Sequence, residues 1–582
     1  MRSSNYDKHP TVNVPHTPRV IASSHSAIVA VLTEVGTPAK QIVVDVYPGT
    51  SDNELLDLLR LAFPQRRLID TRELLKNERA IREMVQPDVT DDPVFGRMTR
   101  LELSSFFDPK KLSHARQESE STETPVIIYG VGAALVCKAD VLIYADLARW
   151  EIQQRQRAGQ LSNLGVRNTA ESVWRKYKWA FFVDWRVADA HKRAIWNDVD
   201  FFIDAHDPKN LKLIDGEAIR AGLKHCVTRP FRVVPFFDPG VWGGQWMKDV
   251  CDLPRDAVNY AWCFDCVPEE NSLLLRFGTT TIELPSIDLV YQHPRELLGA
   301  SIPSRFGAEF PIRFDFLDTF DGGNLSLQVH PSSSYIDAHF RMPYTQDESY
   351  YMIDARPDAC VYLGMKTGVD PDAFVAALND AQFDAKKPLD AERFVNKWSA
   401  QRHDHFLIPA GTVHCSGRNG MVLEISATPY IFTFKLWDWA RLDLDGKPRA
   451  INITHGSANI NYDRDTEWTR RNLINRIDTI AEGGGWREER TGLHETEFIE
   501  TRRHWFTDRV PHDTHGTVNV LNLVQGDEAI VESMTGAFEP FVVHFAETFI
   551  VPAAVGGYTI RPGAGNGGAI CATLKAFVRE PH

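Results

Sequence analysis

The sequence predicts a multidomain chain: an N-terminal α/β domain with a doubly wound parallel sheet, then a mainly β part built as a tandem of barrels with helical inserts. Before about residue 225, short β-branched runs alternate with helical patterns, whereas after residue 228 strands are separated by Gly, Pro and Asp turns. An internal echo adds the duplication: FLIPAGTVH (406–414) and FIVPAAVGG (549–557) share Phe-x-x-Pro-Ala in register. A repeated strand–turn–strand unit implies a duplicated barrel. His414 of the first copy falls opposite Gly557 of the second, so chemistry carried by the first is lost from the second.

Taken in order, QIVVDV (41–46) reads as a buried strand and NELLDLLRLAF (53–63) as an amphipathic helix. TPVIIYG (124–130) is a strand, GAALVCKA (132–139) a helix, DVLIYAD (140–146) a strand and LARWEIQQRQRAG (147–159) a helix, with RQESESTETP (116–125) a polar loop among them. DPDAFVAALNDAQF (370–383) is a helical insert in the β part. The expected domains are 1–227, 228–455 and 456–582.

Composition bounds the function classes. The 582 residues are 43% hydrophobic and 24% charged, ordinary for a globular protein, and 37 Gly with 33 Pro exclude collagen-like or low-complexity chains. A net charge of −14 argues against a nucleic-acid-binding surface along the whole chain. No apolar run is long enough to span a bilayer, and the first residues lack the apolar stretch of a signal peptide. Eight scattered Cys fit a reducing compartment, so the expected location is cytoplasmic. Cys263 and Cys266 form a lone C-x-x-C in a strand-like segment and read as structural.

The richest constellation lies between residues 324 and 414. In LSLQVHP, Gln328 and His330 are two apart on a strand and emerge on one face. Glu348 begins ESYYMID, and His414 ends the PAGTVH turn. Two imidazoles, a carboxylate and an amide oxygen can hold one divalent ion with a position left open, the arrangement of catalytic sites. Zn²⁺ fits these ligands, and ligand type alone leaves Fe²⁺, Mn²⁺ and Co²⁺ open.

FFDPGVWGG (236–244), FPIRFDFLD (310–318), NLSLQVHPSSSY (324–335), ESYYMID (348–354), FLIPAGTVHCSG (406–417) and LWDWARLDLDGKPR (436–449) occur in the order of the motifs of type I mannose-6-phosphate isomerase, a zinc enzyme of the cupin superfamily, which residues 230–582 strongly resemble. The resemblance implies a tandem cupin (jelly-roll) with metal in the first barrel only, on Gln328, His330, Glu348 and His414. It also implies aldose–ketose isomerisation of a sugar or sugar phosphate.

Several cations of that family are altered. A catalytic Arg corresponds to Lys435, which keeps the charge but loses the planar fork. Two family lysines correspond to Asp315 and Gln346. Ser326 and Arg441 remain as substrate-binding candidates, with Arg449 a further anion partner. The rival readings are a sugar-sensing, metal-containing regulator without turnover, and an Fe²⁺ oxygenase drawn from the two-His, one-carboxylate subset. His403 and His405 read as surface histidines.

In the N-terminal part, DVLIYADLARWEIQQRQRAGQLSNLG (140–165) resembles the strand and basic helix of P-loop nucleoside or nucleotide kinases. Residues 149–193 hold ten Lys/Arg against four Asp/Glu, which is either a phosphate-holding patch or a solvated face. The phosphate cradle is missing: YPGTSDNEL (47–55) has one Gly and no Lys, where the motif needs G-x-x-x-x-G-K-[ST]. A kinase-like fold without phosphotransfer is expected, with a scaffolding, regulatory or homo-oligomerising role.

Overall fold

A computed structural model describes residues 4–121, 125–383, 387–428, 431–442, 449 and 451–579. The chain divides into two units, one of Thr11–His225 with Glu269–Gln292, the other of the described residues of Met1–Pro10, Cys226–Pro268 and His293–His582. Glu269–Gln292 thus joins the first unit although its texture matches the β part. Its strands Ser272–Phe277 and Thr280–Pro285 form a hairpin, with Thr11–Val14 as a parallel third strand.

The first unit contains a seven-stranded sheet in the order Ile21–Ala22, Lys212–Asp215, Phe201–Asp204, Val141–Asp146, Gln41–Val46, Val126–Gly130, Arg67–Asp70. The last five run parallel, as strand–helix alternation requires. Helix Asp52–Ala62 buries Leu55, Leu56, Leu58 and Leu59 and carries Asp52 and Glu54 in its first turn, complementing the helix dipole.

Three local readings are corrected in this unit. GAALVCKA is not an α-helix: only the 3₁₀ turn Ala133–Leu135 forms, after Gly132 at φ +74°. Its Gly132 and Ala134 N–H groups are taken by the Asp45 carboxylate. The polar run after residue 116 is helical as far as Ser121 within Pro109–Ser121, because Asp108 accepts from the Lys110 and Lys111 N–H groups and Leu112 and Ala115 are buried. The basic segment is neither an open patch nor a solvated face throughout, since Arg149, Arg155, Lys176, Lys178 and Lys192 are buried. Arg149 pairs with Asp189 at 2.5 Å, Lys192 with Asp146 and Asp288 at 3.0 and 2.6 Å, and the other three donate to backbone carbonyls.

The second unit holds two barrels. The first pairs a six-stranded sheet (His405–Ile408, Glu348–Ala355, Gly420–Ala427, Ile312–Asp318, Trp262–Cys266, Phe236–Asp238) with a five-stranded one (Val395–Ser399, Cys360–Met365, His414–Ser416, Leu327–Val329, Phe434–Trp437). The second repeats the pattern: Thr548–Val551, Asn519–Gln525, Cys571–Val578 and Ile499–Phe506 follow the order of the first four strands of the large sheet. Phe541–His544, Glu528–Ser533, Gly557–Pro562 and Val510–Asp513 follow that of the small one. The strand opened by Glu348 is matched by one opened by Asn519, and that opened by His414 by one opened by Gly557. Cys263 and Cys266 are buried in Trp262–Cys266, and neither forms a disulfide.

Candidate metal centre

His330, Glu348 and His414 each offer one ligand atom within 4.8 Å of the others', and all three are fully buried. Glu348 comes from the large sheet of the first barrel, while His330 follows Leu327–Val329 and His414 opens a strand of the small sheet. Glu348 Oε2 lies 3.1 Å from His330 Nε2 and its Oε1 2.8 Å from His414 Nε2. Gln328 is the cross-strand partner of His414, and its amide reaches His414 Nε2 at 3.2 Å. The four residues singled out from sequence are brought together.

Their orientation is set by outer partners. His330 Nδ1–H donates to the Phe432 carbonyl at 3.2 Å and His414 Nδ1–H to that of Thr412 at 2.8 Å, so both Nε2 lone pairs point inward. Gln346 donates to Glu348 Oε2 at 3.1 Å. His330 Nε2 and Glu348 Oε1 are buried without a hydrogen-bond partner. Convergent lone pairs with no proton between them are what a bound cation satisfies.

The turn that presents His414 is clamped. Gly411 sits at φ +87°, where a Cβ would meet the Asn459 carbonyl at 3.0 Å, and its N–H donates to the His330 carbonyl at 2.9 Å. Arg464 donates to the carbonyls of Pro409 and Ala410 at 2.8 and 2.6 Å and to Thr412 Oγ1. This role of Arg464 has no local sequence signal, since it lies some fifty residues beyond the turn.

Lys435 is the cross-strand partner of Gln328 on the other side, so both side chains share the ligand face. Ser326 donates to Asp438 Oδ1 at 2.8 Å and accepts from Arg449 Nη1 at 3.2 Å. Arg441 donates to Asp438 Oδ1 at 2.5 Å and to the Asn324 carbonyl at 2.7 Å. These side chains form one network around Asp438 beside the cluster. Residues 443–448, which complete the motif after Arg441, lie outside the described residues.

Beyond Glu348 lies a buried charge group missed in the sequence. Arg313 pairs with Asp315 at 2.8 Å and Glu424 at 2.5 Å, and Glu424 is the cross-strand partner of both Asp315 and Tyr350. A buried cation, Arg313, thus lies two residues before Asp315 on the same strand face. The i, i+2 spacing of Arg313 and Asp315 was the available signal. Burial pushes Asp315 up to about 7 despite Arg313.

His405 is not a surface residue, and His403 is half-buried. His405 is buried, donor or acceptor to Ser349 Oγ at 2.9 Å, and His403 meets the Tyr351 hydroxyl at 2.9 Å. Arg503 of the second barrel donates to the His403 carbonyl at 3.0 Å, so the other barrel covers this turn. A cavity of about 140 Å³ lies nearby, lined by Arg305, Thr345, Asp347 and Glu497 among others, and does not include the His–Glu–His cluster.

Residues 24–228 match a family described as a domain of unknown function, DUF8485. Over 230 residues, 39% of this chain, the sequence is 26% identical to mannose-6-phosphate isomerase ManA of Bacillus subtilis. It is 27% identical over 217 residues to the mannose-6-phosphate isomerase of Streptococcus mutans, 37% of this chain. The chain spans just under two thirds of the length of these relatives, 66% and 62%. The crystal structure of the B. subtilis mannose 6-phosphate isomerase aligns over 60% of this chain and 99% of its own, at 18% identity and a TM-score of 0.48.

Proposed function

We propose that this chain is a metal-dependent aldose–ketose isomerase of the mannose-6-phosphate/fructose-6-phosphate type, acting on that sugar phosphate or a related sugar. The observation that carries the reading is the convergence of His330, Glu348 and His414 with Gln328, both imidazoles pinned through Nδ1. The relatives named mannose-6-phosphate isomerase support it. The donor set fits a divalent ion, Zn²⁺ by preference: two neutral imidazole nitrogens, an ionised carboxylate and an amide whose oxygen can turn inward. When bound, the metal supplies Lewis-acid polarisation of the sugar oxygens.

The chain's own residues do the remainder. Gln328, His330, Glu348 and His414 hold the ion in a closed interior that excludes water from the reacting carbons. Lys435, on the Gln328 face, places a positive charge where a phosphate or a developing negative charge lies as the proton moves between C2 and C1. Ser326 and Arg441, fixed through Asp438, border the same side and orient substrate oxygens. The reading includes a first cupin barrel over 228–455, a metal-free second over 456–582, and a cytoplasmic location in keeping with eight cysteines that form no disulfide.

The test is conversion of mannose 6-phosphate to fructose 6-phosphate by the full chain, with and without chelator. Turnover abolished by chelation and restored by Zn²⁺ is expected. A folded, zinc-loaded sample that converts neither this nor related sugars would overturn the reading.

For residues 1–227 we infer a P-loop-kinase-like domain without phosphotransfer. The loop after Gln41–Val46 carries neither a Gly-rich cradle nor a Lys, and the Asp45 carboxylate itself takes the Gly132 and Ala134 N–H groups at 3.1 and 2.9 Å. A scaffolding or homo-oligomerising role fits such a domain.

A further inference from the structure

The second barrel has lost the equivalents of Glu348 and His414, but its interior is not purely apolar. Its core is Phe506, Val510, Leu521, Leu523, Val531, Phe549 and Tyr558 with their neighbours. At one level the register replaces this packing with polar groups. Glu488, His504 and Thr573 are successive cross-strand partners on the large sheet, with Arg502 opposite Lys575 in the next row on that face. His512 lies opposite Tyr558 on the small sheet. The two sheets meet there: the His504 and His512 ring centroids are 4.2 Å apart, and His512 stacks on Tyr558 at 5.0 Å.

The polar atoms at this level are buried and unsatisfied. His504, His512, Thr573 and Lys575 are 1%, 5%, 0% and 4% exposed. His504 Nδ1, both ring nitrogens of His512 and Thr573 Oγ1 have no hydrogen-bond partner, and the Lys575 ammonium makes no hydrogen bond among the described residues. Leaving such groups unpaired in the interior is costly, because they give up hydrogen bonds to water and gain none in return. The nearby carboxylates are already committed. Glu488 takes Arg502 at 2.9 Å and His504 Nε2 at 3.3 Å, and Glu500 takes Arg502 at 2.7 Å. Lys575 forms no direct ion pair among the described residues, and burial pushes its pKa down to about 8 against the opposing pull of Glu488, Glu500 and Asp513. A divalent metal does not suit the place: the ammonium repels it, and His330, Glu348 and His414 are the group that meets metal-site geometry among the described residues. Unpaired donors around a buried ammonium that no carboxylate contacts directly suit an oxyanion.

We propose that the interior of the second barrel is an oxyanion-binding site, in which Lys575, Thr573 and His512 hold one phosphate group while Glu488 fixes the orientation of His504. The same chemistry serves free phosphate or the phosphate of a sugar phosphate. The site lies in the other barrel and its test needs no turnover, so its failure leaves the isomerase reading intact.

The experiment is thermal unfolding and equilibrium dialysis of the full chain in phosphate-free buffer, titrated separately with inorganic phosphate and mannose 6-phosphate. The comparison is wild type, Lys575→Met, Thr573→Val and, as a control on the outer surface of the first barrel, Lys397→Met. Wild type and Lys397→Met are expected to show a saturable rise in melting temperature. Lys575→Met should melt higher than wild type without phosphate and bind about ten- to a hundredfold more weakly, the loss of one charge-assisted hydrogen bond. Thr573→Val should weaken binding in the same sense, and it carries the test if Lys575→Met fails to fold. Response to inorganic phosphate identifies the free anion as sufficient; response to the sugar phosphate alone, still lost in Lys575→Met, identifies a phosphorylated sugar as the ligand. Stabilisation that is absent in wild type, or undiminished in both second-barrel variants, would overturn the proposal.

Discussion

Lys435→Met isolates the charge that the proposed chemistry needs while preserving side-chain length. Lys435 and Gln328 are directly paired across antiparallel strands, which puts their Cβ atoms about 4.5–5.5 Å apart on one face. A unit charge about 5 Å from a developing oxyanion, at an effective dielectric of ~20, is worth about 3 kcal/mol. That corresponds to a loss of about two orders of magnitude in kcat/KM. Lys435→Arg retains the charge and restores the fork, so its rate is expected to equal or exceed that of wild type. The assay is the initial rate of fructose 6-phosphate formation, with zinc content and melting temperature measured on each sample. Wild-type kcat/KM in a zinc-replete Lys435→Met protein would refute the placement of this charge at the reacting end of the substrate.

Other expectations follow from the same geometry. Glu348→Gln should leave zinc substoichiometric after dialysis and abolish turnover, measured by elemental analysis beside the rate; full zinc occupancy would count against Glu348 as a ligand. Arg232 is buried between Glu547 at 2.7 Å and Asp265 at 3.5 Å, so Arg232→Met leaves two buried carboxylates and should cost about 3–5 kcal/mol in urea unfolding. Burial, helped by Arg503, pushes the His405 pKa down to about 3. The unfolded chain therefore binds a proton below about pH 6.5 that the folded one refuses. Stability should fall by about 1.4 kcal/mol per pH unit as pH drops from there towards 3, and His405→Gln should flatten that slope in urea titrations. Calorimetric titration with ATP should give no tight binding; binding with transfer to a nucleoside or sugar would contradict the inference for residues 1–227.

What could be read from the chain alone was whatever local pattern encodes. Strand–helix alternation marked the parallel sheet because period-2 and period-3.6 burial leave different apolar spacings. The Phe-x-x-Pro-Ala echo marked the barrel duplication because the two turns occupy equivalent edges of their sheets. The metal-ligand candidates were legible because Gln328 and His330 alternate on one strand and His414 closes a conspicuous Pro-Gly turn.

Groups that act only through distant neighbours were not legible. His403 and His405 look like a polar turn until the second barrel covers them. Arg464 clamps a turn remote from it in sequence, and three buried cations of the basic segment 149–193, Arg155, Lys178 and Lys192, meet partners from elsewhere in their unit. The pairing of Thr11–Val14 with Ser272–Phe277 closes over most of the first unit, a separation at which no periodicity survives. Local sequence thus determined which residues form strands and which faces they present. Tertiary structure decided which faces meet, because burial and charge pairing depend on groups brought together only when the sheets close.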